Sequence, residues 1–385
     1  MKSARGRISQ MARVNVYVSP RGGVGKSTAC VILAASFAKK NPDKKILVID
    51  FSMVGSASSM LLGGLDKPRK DTFLSRGAEI VDNISQAKRA DGLLLAARNH
   101  ANGMFPIESH CVNVKEVFAQ SECESNIYVS AGGPFLIDTQ LTTLTSSSLA
   151  AFVKGLRKAL TSLPPEWTVF IDTDATVVSS LPSFVGLASS DRITIVTSTN
   201  WDDWLRIFTD GNNSLLLNAP GSSVAEIITT CALTKVEGLK LPECKPLIGA
   251  ILFTKVASSP GGTWNGKAVS KMPSGVNISA IVGDTVDNVC VHAFEAAAGV
   301  ANKRFFAHNV PDVEEFIEKY VFSIPEISSG VMIKSVISGS PASVISEQTL
   351  ARHFGPRVNA PATAINTQLE PTVRSLEAML QNAAI

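Results

Sequence analysis

A glycine-rich turn between an apolar strand and a helix is the segment best suited to chemistry, and it lies in the run VNVYVSPRGGVGKSTAC that begins at Val14. Glycine reaches backbone conformations closed to other residues, so successive N–H groups of such a turn can face inward around a phosphate. Lys26 can place its ammonium between terminal phosphates, and the hydroxyl of Ser27 can bind Mg²⁺. The residues predicted to bind the phosphate ligand are Arg21, Gly22, Gly23, Val24, Gly25, Lys26, Ser27 and Thr28.

The turn departs at Pro20 from the common phosphate-loop pattern GxxxxGKS/T. It resembles the deviant loop KGGxGKS/T of the ParA/MinD family of ATPases, with Arg21 where that family has a second lysine. The resemblance implies ATP or ADP and Mg²⁺ as cofactors, and a nucleotide-dependent homodimer with ATP trapped between its subunits. In such a dimer the extra lysine contacts the partner's phosphates. Arg21 keeps that charge and adds a planar fork of donors.

A second match to the family lies in the run ILVIDFSMVGSAS. Family members have here a strand that ends in an aspartate, with another aspartate two residues later. Asp50 matches the first, and we predict a catalytic role for it together with Arg21 and Lys26. Ser52 stands at the second position, which in the family holds the carboxylate that orients the attacking water. Because a hydroxyl cannot act as a general base near neutral pH, we expect slow or absent hydrolysis, and whether the protein is an enzyme stays open.

A third match is TVFIDTDATVVSSL, an apolar strand that ends in Asp172 at the position of the family's Walker B aspartate. Mg²⁺ prefers oxygen ligands and keeps most of its waters, so one serine and one aspartate acting through water suffice to hold it. The resemblance therefore implies a metal site at Ser27 and Asp172. Asp174 replaces the first proline of the family's usual pair. It is either a surface carboxylate at a strand end or a replacement for the carboxylate missing at Ser52.

Weaker matches follow in family order as far as residue 345. LIGAILFTKV matches the strand that approaches adenine, with Thr254 at a base-contacting position, and Pro325 belongs to a match of the family's IPR segment. The resemblance implies that both residues bind the nucleotide. Thr254 and Lys255 could also begin a guanine-reading motif, but Ala257 stands where its carboxylate would be, which favours ATP. The histidines and cysteines show no recognisable metal-ligand spacing, which argues against a zinc site.

Apolar strand-like runs alternate with longer helix-like segments, a pattern typical of α/β proteins. We predict a mostly parallel, doubly wound sheet flanked by helices on both faces, as in ParA/MinD-like P-loop NTPases. The predicted strands are 14–19, 45–50, 126–130, 168–172, 193–197 and 248–253. The predicted helices are 26–40, 141–162, 201–217, 285–301 and 370–384.

One domain is predicted over residues 14–385 after a basic tail at residues 1–13, with loop-rich insertions near 67–123 and 256–320. The 385 residues are 45% hydrophobic with a net charge of +3, which argues against intrinsic disorder and against a polycation that coats nucleic acid. No apolar run reaches the ~18 residues that span a bilayer. The dispersed cysteines indicate a reducing compartment, so we expect a cytoplasmic location, and the basic tail leaves organelle targeting open.

The family resemblance implies a switch that acts in DNA segregation or cargo positioning. Its expected partners are nonspecific DNA in the ATP state and a protein that stimulates hydrolysis or carries cargo. Arg352, Arg357 and Arg374 are candidates for contacting DNA, although scattered surface arginines are the commoner explanation. We expect no membrane binding, because the last predicted helix carries Glu370 and Glu377 beside Arg374.

The alternative function is a non-hydrolysing nucleotide-binding adaptor or scaffold that recruits a protein partner. Ser52 favours this alternative, and the glycine-, proline- and serine-rich loop at 258–277 would offer a recruiting surface. A biosynthetic or metallochaperone ATPase of the same superfamily is a third interpretation, which the lack of a closely spaced cysteine pair weakens.

Overall fold

The computed structural model describes residues 13–19, 21–66, 74–138, 146–174, 180–198, 246–256, 263–264, 267–268, 320–325, 327, 329–346, 348–349, 370 and 373–374. The strands among them are β1 (Arg13–Val18), β2 (Lys45–Asp50), β3 (Val112–Asn113), β4 (Ile127–Ser130), β5 (Trp167–Asp172), β6 (Arg192–Thr197), β7 (Leu247–Val256), β8 (Thr263–Trp264), β9 (Lys267–Ala268) and β10 (Val321–Pro325). Eight of these described strands form one sheet in the spatial order β10, β7, β6, β1, β5, β2, β4, β3, and β8 pairs with β9.

The eight-stranded sheet is parallel except at its short edge strand β3, which runs antiparallel to β4. At its centre, β1 pairs with β5 and β6, so that Val16 lies opposite Ile171 and Ile193. The carboxyl ends of parallel strands lie at one edge of such a sheet, where ligands of α/β proteins bind. Asp50 and Asp172 therefore meet at this edge, as the ends of β2 and β5.

Helices cover both faces of the sheet. The described α-helices are α1 (Lys26–Lys40), α2 (Ser56–Leu61), α3 (Arg76–Asn83), α4 (Ala90–Asn99), α5 (Val114–Val117), α6 (Ser146–Ser162), α7 (Leu181–Ala188) and α8 (Ser329–Ser338). Alternate side chains of β1 enter two separate apolar cores: Val16 and Val18 join residues of α4, α6 and α7, whereas Tyr17 joins residues of α1 and α2. This arrangement confirms the predicted doubly wound α/β fold.

The predicted boundaries of β2 and α1 agree with the structure, and the other predicted strands agree within one residue except at the end of β7, which extends to Val256. Arg13, assigned by prediction to the tail, begins β1. The predicted helices at 201–217 and 285–301 and most of the predicted insertion at 256–320 lie outside the described residues. In the last predicted helix, the described residues 370, 373 and 374 are helical, and Val373 is buried.

The expected loop-rich segment at 67–123 contains the helices α3 and α4, so that expectation was wrong in part. The hydroxyl of Ser75 caps α3 by accepting a hydrogen bond from the N–H of Ala78. In α4, Leu93 and Leu94 are buried where this helix packs against α6. Charged side chains on the outer faces of these short helices break the apolar periodicity that would identify them. No helix in the described part of the chain is long and apolar enough to cross a membrane.

Candidate functional site

A cavity of about 830 Å³ opens at the carboxyl edge of the sheet, next to the residues that follow β1, β2 and β5. Its lining includes Ser19, residues 21–28, Ser52, Met53, Val54, Thr173 and Asp174. All eight residues of the predicted phosphate loop therefore face this one space. The position matches the place where ligands bind in open parallel sheets.

The phosphate loop has the backbone geometry that its glycines predict. Gly23 and Gly25 have φ angles of +80° and +89°, in the left-handed region that other residues avoid. Gly25 is also the residue before α1, and among the described residues no side-chain cap is recorded at this helix start, since glycine has no side chain to supply one. The uncapped helix end leaves backbone donors and the positive end of the helix dipole at the cavity, which is the physical basis of an anion site.

Lys26 is held at the base of this loop by β5. Its Nζ lies 2.7 Å from Oδ1 of Asp172 and also donates to the carbonyl of Thr173. The Lys26 side chain is 7% exposed and that of Asp172 is fully buried. An ammonium has three N–H donors, so after these two contacts one donor is left for a ligand. The phosphate loop thus carries an ammonium whose position is fixed by Asp172 and Thr173.

Oxygen atoms near this ion pair fit a magnesium ion. Oδ2 of Asp172 is buried and has no hydrogen-bond partner in the part of the chain that the structure describes. Ser27, the residue after Lys26, lines the cavity. A carboxylate oxygen and a hydroxyl are the hard donors that Mg²⁺ prefers. The metal site at Ser27 and Asp172 agrees with this geometry and stays a prediction.

Asp50 is fully buried and accepts three hydrogen bonds. The N–H of Ser52 donates to Oδ1 at 3.0 Å, and the N–H and hydroxyl of Ser58 donate to Oδ2 at 2.8 Å each. Burial, and then the neighbouring charge of Asp172, raise the pKa of Asp50 from its ordinary 3.8 to about 7, because together they outweigh the three donors. Asp50, predicted to be catalytic, lies behind the cavity lining and anchors the turn after β2.

Ser52 lies in that turn and lines the cavity. Its side chain is buried, and its Oγ accepts a hydrogen bond from the N–H of Val54 at 3.2 Å. The N–H of Gly55 donates to the Ser52 carbonyl at 3.0 Å, which closes the turn. The cavity therefore meets a hydroxyl at this position, already engaged as an acceptor, and no carboxylate.

Asp174 also lines the cavity and is hydrogen-bonded to the same turn. Its Oδ1 accepts a hydrogen bond from the N–H of Met53 at 3.0 Å, and its Oδ2 accepts one from the hydroxyl of Ser180 at 3.0 Å. Its own N–H donates to Oγ of Ser183 at 2.7 Å. The two interpretations made from sequence both stay predictions: the side chain is half-buried, and its carboxylate accepts two hydrogen bonds beside the turn that carries Ser52.

Thr254, predicted at a base-contacting position, and Pro325, from the IPR match, were the other two residues predicted to bind nucleotide. Thr254 is buried, and its hydroxyl contacts the carbonyls of Val24 and Thr197, so it supports the phosphate loop from behind and is not part of the cavity lining. Pro325 ends β10, and its side chain lies outside the described part. The structure thus brings together residues 21–28, Asp50 and Asp172. The hydroxyl of Thr254 is hydrogen-bonded to the phosphate loop at the carbonyl of Val24.

A family model for the CobQ/CobB/MinD/ParA nucleotide binding domain matches residues 16–325. The chain belongs to this family. The match runs from β1 to β10 and so includes the phosphate loop, Asp50, Asp172 and Thr254. It confirms the resemblance to ParA/MinD proteins and makes this a member of a nucleotide-binding ATPase family.

Relatives of this CobQ/CobB/MinD/ParA family member include the septum site-determining protein MinD of Buchnera aphidicola subsp. Baizongia pistaciae (strain Bp). The two are 36% identical over 88 residues, 22% of this chain and 32% of that protein, so the match spans about a third of the relative's length. Among solved structures, the McdA(D38A)–ATP complex of Cyanothece has 11% identity and a TM-score of 0.49, covering 96% of this chain and 97% of that chain. The cell division ATPase MinD of Pyrococcus furiosus has 13% identity and a TM-score of 0.44, covering 96% and 100%.

Two residues of the site were not predicted. Ser58 binds Asp50, and its hydroxyl also accepts from the N–H of Gly132 at 2.8 Å, so it links β2, α2 and the end of β4. Thr173 contacts Lys26 through its carbonyl, and its hydroxyl donates to the carbonyl of Tyr17 at 2.7 Å. A serine in the first turn of a short helix after a strand-ending aspartate is the signal that would have identified Ser58.

Proposed function

We propose that this protein binds Mg-ATP in the cavity, dimerises around it, and acts as a switch in DNA segregation or cargo positioning with slow or absent hydrolysis. The observation that carries the proposal is the Lys26–Asp172 pair under an uncapped helix end, within the glycine loop. These groups supply fixed positive charge and backbone donors for phosphates. The chain that carries them belongs to a family of nucleotide-binding domains.

Nucleotide binding would use residues 21–28 around the phosphates, with the remaining donor of Lys26 on the terminal ones. Ser27 and Oδ2 of Asp172 would hold Mg²⁺, directly and through water. When bound, the metal neutralises charge on the phosphate oxygens. The chain's own residues orient the nucleotide by hydrogen bonds and exclude water from the base of the loop, where Val24 is buried.

A second protomer would complete the site. Arg21 is exposed at the cavity, where a long cationic side chain can reach phosphates on a facing subunit. Met53, Val54 and Leu65, which also line the cavity, are 38%, 77% and 54% exposed, and apolar side chains gathered at a polar site favour coverage by another surface. A face-to-face dimer would cover these side chains and bring Arg21 to the partner's nucleotide.

Hydrolysis would be slow because the turn after β2 carries Ser52. The proposed role in positioning or segregation draws on a relative whose name describes septum-site determination. For DNA binding, Arg374 is the described candidate: it is 70% exposed and pairs with Glu370 at 2.6 Å. Exposed pairs of this kind are weak, so a DNA phosphate can compete for the guanidinium. Arg352 and Arg357 lie outside the described residues.

Nucleotide binding is tested by titrating a fluorescent ATP analogue, with and without Mg²⁺, into the wild type, Ser27→Ala and the exposed-lysine control Lys39→Ala. We expect Mg²⁺ to tighten binding in the wild type and in the control, and to have no effect in Ser27→Ala. A wild-type protein that binds no ATP with or without Mg²⁺ contradicts the proposal. Affinity for duplex DNA in the ATP state should fall steeply with salt, and undetectable or salt-insensitive binding contradicts the DNA role.

A second candidate function is the non-hydrolysing adaptor, and the serine at position 52 is the observation that favours it. In that case ATP stabilises the fold and a surface of the chain recruits a protein partner. The two functions differ in assembly: bound nucleotide without dimerisation supports the adaptor, whereas dimerisation supports the switch.

A further inference from the structure

Among the described residues that line the cavity, Asp174 carries the one carboxylate. Asp50 and Asp172 are fully buried behind the lining, where Ser58 and Lys26 bind them. The cavity therefore combines two cationic side chains, Arg21 and Lys26, with a single anionic one. Electrostatics alone would disfavour a carboxylate facing bound phosphates, so an aspartate at this position, where the family has proline, calls for a role.

The contacts of Asp174 hold its carboxylate next to the turn that carries Ser52. Oδ1 accepts from the N–H of Met53, the residue after Ser52, at 3.0 Å. Oδ2 accepts from the Ser180 hydroxyl at 3.0 Å, and the backbone N–H of Asp174 is bound by Ser183 at 2.7 Å. Because each carboxylate oxygen has two lone pairs, both can still accept a hydrogen bond from water.

Ser52 itself is poorly suited to orient water. Its Oγ accepts from the N–H of Val54 at 3.2 Å, and as a neutral hydroxyl it is a weaker acceptor for a water proton than a carboxylate. A water that attacks phosphorus must donate a hydrogen bond and turn its lone pair toward the phosphorus, and an ionised carboxylate accepts that hydrogen bond more strongly than a neutral hydroxyl does.

We propose that Asp174 is the residue that positions the attacking water for ATP hydrolysis, a role that rests on the proposed nucleotide site. The water oxygen forms a bond to the γ-phosphorus while the bond from that phosphorus to the β–γ bridging oxygen breaks. ADP leaves with the electron pair on the bridging oxygen, and the proton lost by water ends on the inorganic phosphate. Asp174 accepts a hydrogen bond from the water throughout and fixes its orientation.

The test compares Asp174→Asn, the relocated carboxylate Ser52→Asp/Asp174→Asn, and the exposed control Asp82→Asn on α3. Asparagine keeps an acceptor for the N–H of Met53, so the turn stays tied while the charge is lost. ATP-analogue affinity, the midpoint of thermal unfolding and single-turnover phosphate release are measured for each protein. Asp174→Ser serves as a second variant if Asp174→Asn does not fold.

We expect Asp174→Asn to bind ATP like the wild type and to release phosphate about 100-fold more slowly, with at least tenfold recovery in the relocated variant. A merely structural role for Asp174 predicts instead a lowered midpoint of thermal unfolding in both variants, because both keep asparagine at 174, whereas the proposed role predicts a midpoint close to that of the wild type. Wild-type phosphate release in Asp174→Asn overturns the role of Asp174. A wild-type protein that binds ATP but does not hydrolyse it also overturns the role of Asp174 and leaves the proposed nucleotide binding standing. A wild-type protein that binds no ATP overturns both the role of Asp174 and the proposed function.

Discussion

Nζ of Lys26 lies 2.7 Å from Oδ1 of Asp172, and this buried ion pair joins the first turn of α1 to the end of β5. The same ammonium is the proposed phosphate ligand, and the second oxygen of the same carboxylate is the proposed metal ligand. Stability and nucleotide binding therefore depend on one pair of side chains, and the two contributions can be separated by mutation.

Lys26→Met should destabilise the protein by about 3–5 kcal/mol, because it leaves the Asp172 carboxylate buried without its partner. Adding Asp172→Asn removes the unpaired charge and should recover most of that loss, while ATP binding stays absent in both variants. Urea denaturation and ATP-analogue titration measure the two effects, with Lys39→Met as the exposed control. Equal stability of the single and double variants would contradict a buried pair.

Gly132→Ala should disturb the anchor of the turn after β2. A Cβ at this position would lie 2.2 Å from the carbonyl oxygen of Asp50 and 2.9 Å from its Oδ1, so the backbone must move. We expect a loss of about 1–3 kcal/mol in unfolding free energy. Gly103→Ala is the matched control, since nothing lies within 4 Å of its added Cβ. A similar small change in both variants would mean that the close approach of Gly132 to Asp50 is not structurally required.

The raised pKa of Asp50 predicts a pH dependence of stability. Its pKa is about 7 in the folded protein against an ordinary 3.8, so the folded chain holds a proton in this window that the unfolded chain has lost. The contribution of Asp50 to the free energy of unfolding must therefore fall as the pH rises from about 4 to about 7. Asp50→Asn cannot titrate.

Between about pH 4 and pH 8 the stability difference should move in favour of Asp50→Asn by on the order of a few kcal/mol, as read from urea denaturation of both proteins. Asp82→Asn, exposed on α3, serves as the control and should show no such trend. A difference between wild type and Asp50→Asn that stays constant across this range would rule out a raised pKa.

The thiols of Cys111 and Cys123 should resist alkylation in the folded protein. Burial raises the pKa of each to about 12, and the reactive species is the thiolate. At about pH 8 we expect iodoacetamide to modify them at least ~100-fold more slowly in the folded state than in urea. Peptide mass spectrometry reports the two residues separately, and equal rates in both states would contradict their buried positions.

The fold and the centre of the site could be predicted from local patterns. Glycine spacing, apolar strands that end in Asp50 and Asp172, and Lys26 at a helix start are all signals within short windows of sequence. The role of Thr254 could not be predicted, because its hydroxyl contacts a carbonyl 230 residues away and only the folded chain brings the two together.

The contact between Asp174 and Met53 could not be predicted for the same reason, since it joins residues 121 apart in sequence. Short helices such as α3 were missed for a different reason. Two turns carry too few apolar residues to establish a period, and in α3 only Gly77 and Val81 are buried.

The most direct measurement of the central claim is the molecular mass in solution, by light scattering, without nucleotide, with Mg-ADP and with Mg-ATP. We predict a monomer in the first two conditions and a doubled mass with Mg-ATP. Arg21→Ala should bind ATP and remain monomeric, whereas Arg21→Lys should still dimerise. The same mass in all three conditions for the wild-type protein would contradict the account.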